Sequence, residues 1–196
     1  KVFGAACAVL AVCAIVLTTG CGGKKEIKQE PIAVNAPDWV NKGSGAFKDA
    51  SGSGIIYGVG LVTGIKNRAL SVSTADARAR AEVAKVLDSM VSILQKDYMA
   101  STTGGAMTQS SEEQHVSQTM KTFTEVSLSG AVIIDHWKDP TDETLFSLAK
   151  LDLEAIQKTL DTAKDLDPQV RDFIRGNAQK SFNELAQEQA KNKQAQ

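Results

Sequence analysis

Short runs rich in apolar residues, separated by polar and glycine-rich segments, predict three β-strands in this chain. The first strand runs from Ile55 to Val62, and the other two run from Ala131 to Lys138 and from Thr144 to Asp152. Polar turn residues between the last two strands predict an antiparallel hairpin. In the first strand, Gly58 and Gly60 point to the same face, which predicts that a helix packs closely against it.

Apolar residues at three- and four-residue steps predict a long helix from Thr74 to Ala100. Either Ser73 or Thr74 is expected to cap this helix, with Asp76 in its first turn. We expect the helix to pack on the first strand and to approach it most closely at its N-terminal half, where the apolar residues are small. The predicted apolar stripe consists of Ala77, Ala81, Ala84, Leu87, Val91, Leu94 and Tyr98.

Three shorter helices are predicted after the long one. Two run from Glu112 to Thr124 and from Leu153 to Ala163, and the third begins at Pro168 after Asp167, a good capping residue. The third helix carries a narrow apolar stripe, which either docks back on its own domain or binds a neighbouring copy of the chain. We expect the neighbouring copy, and we expect the tail from Gln187 to fray. The stripe consists of Val170, Ile174, Phe182 and Leu185.

Together these elements predict an α+β fold. A small antiparallel sheet of about three strands, including the C-terminal hairpin, is expected to pack against the long helix and a second helix, with an extra C-terminal helix. We assign the α+β domain to residues 37–163, and the C-terminal amphipathic helix with its frayed tail to residues 164–196. Residues 41–54 and 100–111 are expected to be loops, and Trp39 is expected to act as a packing latch.

The N-terminus has the anatomy of a secretory signal peptide. Lys1 precedes an apolar run from Val2 to Leu17, which is followed by small and polar residues. The run falls short of the ~20 apolar residues that a membrane-spanning helix needs. We therefore assign residues 1–20 to a signal peptide.

The end of this segment, Leu17-Thr18-Thr19-Gly20-Cys21, resembles a bacterial lipobox. In a lipobox the Cys becomes the first residue of the mature protein and carries acyl chains such as palmitate, so the resemblance makes Cys21 the candidate lipidation site. Leu17 lies one position further from the Cys than usual, and Thr18 takes its place. The alternative is an ordinary signal peptide with an incidental Cys.

Residues 21–36 are expected to form the lipidated Cys and a polar tether, which has too few apolar residues to fold alone. Bacteria that sort lipoproteins by the residue after the Cys usually retain those with Asp there at the inner membrane. Gly22 occupies that position in this chain. The sequence therefore favours a lipid-anchored location at the bacterial outer membrane.

Charge and cysteine content restrict the possible functions. The 196 residues carry a formal net charge of -1. We therefore expect neither a nucleic-acid-binding protein nor a protein that binds the membrane surface through a polybasic segment. Of the three cysteines, Cys7 and Cys13 lie in the signal peptide and would be removed with it. The remaining Cys21 would be lipidated, which excludes disulfides, thiolate metal sites and a Cys nucleophile from the mature chain.

No arrangement of residues predicts catalysis, a cofactor, a metal ion or a small-molecule substrate. The two histidines, His115 and His136, have no second ligand at helical spacing. Strict strand alternation would place His136 on a face with Val132 and Ile134, opposite Asp135, which disfavours a catalytic triad. Gly58-Val59-Gly60 lies inside a strand, whereas a dinucleotide-binding motif needs its glycines in a strand-to-helix turn. We therefore expect a protein that is not an enzyme.

Several motifs in this order resemble the LPP-twenty family of bacterial outer-membrane lipoproteins. They are Pro37-Asp38-Trp39-Val40, Tyr57-Gly58-Val59-Gly60, the Ala/Arg-rich helix from Ala75, and Leu148-Ala149-Lys150-Leu151-Asp152. The resemblance implies a small α+β domain and supplies no catalytic residues. Some relatives assemble into outer-membrane discs or rings around flagellar motors, and many have no assigned role.

The expected function is therefore a structural or assembly role in the cell envelope, with a homo-oligomer or an envelope protein as partner. The first alternative is a periplasmic accessory lipoprotein that binds and regulates an envelope enzyme, and the second is a hydrolase that acts on envelope material and would be identified by turnover. Formation of a ring or disc by the mature protein would favour the structural or assembly role. A stoichiometric complex with a cell-wall synthase would favour the first alternative.

Overall fold

The computed structural model describes residues 33, 35–102, 110–164 and 166–195. The predicted signal peptide, Cys21 and most of the tether lie outside the described residues. Within the described ranges, no helix combines the length and the apolar character that crossing a bilayer requires.

The fold is α+β, as predicted. The described part of the chain contains α1 (Asp38–Lys42), β1 (Gly45–Lys48), β2 (Gly54–Val62), α2 (Arg68–Thr102), α3 (Ser110–Leu128), β3 (Val132–Lys138), β4 (Leu145–Asp152), α4 (Leu153–Thr162) and α5 (Pro168–Ala195). Its strands form one antiparallel sheet in the order β1-β2-β4-β3. The sheet thus has four strands where about three were predicted, and the hairpin of β3 and β4 is confirmed.

The stretch predicted as a loop before β2, residues 41–54, instead contains the end of α1 and the whole of β1. Each is five residues or shorter, and β1 begins with Gly45. Elements this short repeat their hydrophobic period only once or twice, so their sequence pattern is hard to distinguish from that of a loop. Pairing with β2, in which Phe47 lies opposite Ile55, defines β1.

The long helix α2 begins two turns earlier than predicted. Asn67 precedes its first residue and accepts a hydrogen bond at Oδ1 from the backbone N–H of Leu70, at 3.0 Å. Ser73, one of the predicted caps, lies inside the helix, where its hydroxyl donates to the carbonyl oxygen of Leu70. Asp76 consequently lies in the third turn and not in the first.

The predicted packing of this helix on β2 is confirmed. A Cβ atom on Gly60 would overlap the backbone of Ala75 and Ala79, and one on Gly58 would overlap the backbone of Ala79 and Val83. The two glycines therefore allow the helix axis to approach the sheet more closely than side chains would permit.

The predicted apolar stripe of α2 is right in its C-terminal half and wrong in its N-terminal half. Leu87, Val91 and Leu94 are buried as expected. In the N-terminal half the buried residues are Ala75, Ala79 and Val83, whereas Ala77 and Ala81 are exposed and Ala84 is half-buried. Alanine occurs on both sides of this half-helix, so hydrophobicity alone does not distinguish the two faces.

The last helix, α5, is part of the same core. Its stripe is buried against α2 and the sheet rather than left for a neighbouring copy, so our expectation of a neighbouring copy is wrong. The core includes all four stripe residues and also Ala178, which lies between them: Val170, Ile174, Ala178, Phe182 and Leu185. Asp167 caps the helix as predicted, because its Oδ1 accepts hydrogen bonds from the backbone N–H groups of Gln169 and Val170.

The predicted fraying after Gln187 is also wrong, because the helix continues to Ala195 and contacts β1. The Oε1 atom of Gln189 accepts a hydrogen bond from the backbone N–H of Ala46 at 2.8 Å. The ammonium group of Lys193 lies 5.3 Å from the ring centroid of Phe47. Polar side chains attach this end of the helix to β1, and such contacts cannot be predicted from hydrophobic periodicity.

The two edges of the sheet differ. The end of α5 covers the β1 edge, whereas no strand of the described chain pairs with the outer edge of β3. On β3, Val132 is 51% exposed and Ile134 is 48% exposed. A bulge between Ile133 and Asp135 interrupts the strand, a feature that disfavours uncontrolled edge pairing.

The segment before β1 is fixed to the domain. Val40 is 1% exposed, and Ala33 is buried. The indole Nε1–H of Trp39 donates a hydrogen bond to Oδ2 of Asp135 in β3, at 2.9 Å. Trp39 is thus attached to the domain by a hydrogen bond, and its half-buried side chain is not part of the core predicted for a packing latch.

Candidate functional site

Three polar side chains from three elements meet beside the open edge of the sheet. Asp76 projects from α2, Ser147 from β4 and His136 from β3. The Ser147 hydroxyl donates to Oδ1 of Asp76 at 2.7 Å, and Nε2 of His136 lies 2.6 Å from the same oxygen. The cluster thus links the long helix to two neighbouring strands.

The bulge in β3 is what brings His136 to this cluster. Ile133 pairs with Ala149 and His136 pairs with Ser147, so both lie on the face of the sheet that packs on α2. The predicted grouping of His136 with Val132 and Ile134 is therefore wrong, because strict alternation fails at a bulge. Asp135 does lie on the face opposite His136, as predicted.

Asp76 is ionised in this environment. Burial raises the pKa of its carboxyl, the hydrogen bonds from Ser147 and His136 lower it, and electrostatic interactions with His136 and Arg80 lower it further. The lowering effects together outweigh burial, and the net pKa lies below the ordinary value. Because the carboxylate can only accept, Nε2 of His136 carries the hydrogen in this contact.

The cluster does not have the geometry of a catalytic triad. In a triad, the histidine lies between the acid and the nucleophile. In this protein Asp76 lies between Ser147 and His136, and Ser147 is fully buried. Its hydroxyl therefore cannot reach a substrate, and the arrangement serves to orient the His136 ring.

A groove of about 830 Å³ lies next to this ring. The loop after β2, the first turns of α2, and the turn between β3 and β4 form its walls. We call it the β2–α2 groove. The residues that define it in the following argument are Lys66, Arg68, Val72, His136, Lys138 and Leu145.

The charges around the β2–α2 groove are not balanced locally. Lys138 forms an ion pair with Glu143 at 3.0 Å. Asp142 accepts a hydrogen bond from the backbone N–H of Thr144, a contact that lowers the pKa of its carboxyl. Within the described chain, the side chains of Lys66 and Arg68 have no acidic partner.

The other sequence-predicted residues lie apart from this groove or outside the described chain. His115 on α3 lies 3.6 Å from Asp167 and is well exposed. The described residues contain no group of three or more His, Cys, Asp or Glu side chains suited to a metal ion. Cys21, the candidate lipidation site, lies outside the described residues.

Sequence reasoning missed Asp76 and Ser147 as partners of His136. The sequence pattern indicates only a helix-dipole contact for Asp76 and a strand position for Ser147. One signal was present, since a buried strand position occupied by Ser requires a hydrogen-bond partner. The identity of that partner depends on the register of the sheet and on the bulge in β3, which the sequence alone does not reveal.

In comparisons with known proteins, no family model matches the chain and no curated protein matches it significantly.

Proposed function

We propose that this protein is a non-enzymatic lipoprotein that is anchored in the bacterial outer membrane by acyl chains on Cys21. Its role is structural, as a component of an assembly in the cell envelope such as a ring or disc. The lipobox-like sequence supports the anchor, and the α+β fold agrees with what the LPP-twenty resemblance implies. Each part of this proposal has its own test.

The observation that carries the structural role is the attachment of the N-terminal segment to the domain. Ala33 is buried, and Trp39 is hydrogen-bonded to Asp135. Only 12 residue steps separate Cys21 from Ala33, which at ~3.4 Å per residue span at most about 40 Å. A lipid on Cys21 would therefore hold the domain within about 40 Å of the bilayer.

The assembly contact that we propose is the open edge of β3, and the partner is a second copy of this chain. Val132 and Ile134 expose apolar surface on this edge, whereas Gln189 occupies a backbone donor of β1, the other edge strand. Anchoring confines all copies to one layer near the membrane, which raises their local concentration. The bulge shortens the part of β3 that is free to pair, which disfavours indefinite edge-to-edge stacking.

Native mass spectrometry of the detergent-extracted protein tests this role. We expect an oligomer, and we expect Ile134→Glu to reduce its population because a buried unpaired charge is unfavourable. Leu70→Glu is the matched control, since Leu70 is an exposed apolar residue on α2 and not on β3. A monomer at every concentration would contradict the assembly role. A stoichiometric complex with an envelope enzyme would instead favour the accessory function.

A further inference from the structure

We propose that the β2–α2 groove binds a small anionic amphiphile, meaning a molecule with a phosphate or carboxylate group attached to an apolar portion. This inference does not depend on the proposed membrane anchor or on assembly. The groove volume of about 830 Å³ lies within the range of small-molecule sites in proteins, which is roughly 300–1,000 Å³.

Two unpaired cations supply the affinity for an anion. Lys66 lies in the loop after β2, and Arg68 is the first residue of α2, so two adjacent segments present their charges to one groove. The guanidinium of Arg68 matches the geometry of a phosphate or carboxylate, and the ammonium of Lys66 adds a second positive charge.

Three cationic side chains line the groove against two carboxylates, so the acidic residues offset these charges only in part. Glu143 is paired with Lys138, and Asp142 is engaged by the backbone of its own turn. Both lie on the β3–β4 side, whereas Lys66 and Arg68 lie on the α2 side. The unpaired positive charge is therefore concentrated on one wall, which favours an anion over a cation as the ligand.

Apolar and fixed polar groups form the rest of the groove. The half-buried side chains of Val72 and Leu145 line it and suit an apolar portion of the ligand. His136 also lines it, and its ring is held by Asp76, which Ser147 fixes in turn. A wall that is already ordered lowers the entropic cost of binding.

The probe for this site is octyl phosphate, and the protein is the chain from residue 21 to 196 with Cys21→Ser, which carries no acyl group. Titration followed by two-dimensional NMR reports both the dissociation constant and the residues affected. We expect saturable binding, with shifts concentrated around the β2–α2 groove. Inorganic phosphate should bind at least about tenfold more weakly than octyl phosphate, because it lacks the apolar portion.

Charge reversal separates a site from general electrostatic attraction. The double variant Lys66→Glu/Arg68→Glu should weaken octyl phosphate binding by about tenfold or more. Lys96→Glu/Lys158→Glu changes the net charge equally at two exposed positions outside the groove and should change binding less than about twofold. Equal weakening by the two variants, or no binding by the parent chain, would overturn the proposal. Equal affinity for phosphate and octyl phosphate would overturn the claim that the groove recognises an apolar portion of the ligand.

Discussion

Asp76 and His136 are 60 positions apart in the chain, yet Oδ1 of Asp76 lies 2.6 Å from Nε2 of His136. The same oxygen accepts a hydrogen bond from Ser147. The contact fixes the N-terminal half of α2 over the hairpin and sets the position of one wall of the β2–α2 groove. Stability and groove geometry therefore depend on one carboxylate.

Asp76→Asn should destabilise the protein at neutral pH by about 1–3 kcal/mol, the usual range for a lost charged hydrogen bond. Because folding lowers the pKa of Asp76 from 3.8, its stabilisation is present above that value. The stabilisation is lost as the pH falls through the lower folded-state pKa. Urea unfolding of both proteins at several pH values should therefore show a difference that shrinks in acid.

Asp88→Asn is the control for that experiment. Asp88 lies on the same helix and is exposed, so its substitution should change the free energy of unfolding by less than about 0.5 kcal/mol. If the two variants had equal stability at neutral pH, the Asp76 cluster would contribute nothing to the fold.

Gly60→Ala should destabilise the protein severely, because the added methyl group would overlap the backbone of Ala75 and Ala79. Neither backbone can move without shifting α2 off the sheet, and overpacking of this kind costs about 1–3 kcal/mol or more. Gly176→Ala in α5 meets open space and should be neutral or stabilising by up to about 1 kcal/mol. Similar melting temperatures would show that the helix is not in close contact with β2.

Phe182→Ala should cost about 3–5 kcal/mol, since this ring is fully buried and lies against Gly54 of β2. Gln179→Ala, one turn away on an exposed face, should have little effect. Chemical denaturation measures both. A mild effect of Phe182→Ala would instead support the original expectation that this helix serves a neighbouring copy.

Gln189→Ala should accelerate hydrogen exchange of the Ala46 amide, because the Gln189 side chain is its hydrogen-bond acceptor. Gln187→Ala is the control, since Gln187 is exposed on the same helix. If exchange of the Ala46 amide were equal in the two variants, α5 would not protect the β1 edge.

The fold class, the hairpin and the helix-on-glycine packing follow from local patterns in the sequence. Each of these features can be read from the hydrophobic periodicity of one or two neighbouring helices or strands. The buried face at the start of α2 did not follow, because alanine offers the same small apolar side chain on both sides. The attachment of the α5 tail did not follow either, because it depends on polar contacts to β1.

The candidate groove was not predictable for a related reason. His136 was visible in the sequence, but its orientation depends on a bulge at Ile134 and its partner comes from a distant helix. Lys66 and Arg68 resemble ordinary surface cations until the fold places them in one concave surface. Groupings of this kind arise from tertiary structure, whereas the lipobox-like motif is local and needs no fold to be recognised.

The intact mass of the protein, extracted from the membranes of the cell that makes it, tests the proposed anchor most directly. We expect the mass of residues 21–196 plus several acyl chains on Cys21, because one chain gives only marginal membrane binding. Fragmentation should place the added mass on the first residue. An unmodified Cys21, or a mature chain that begins at another residue, would contradict the account.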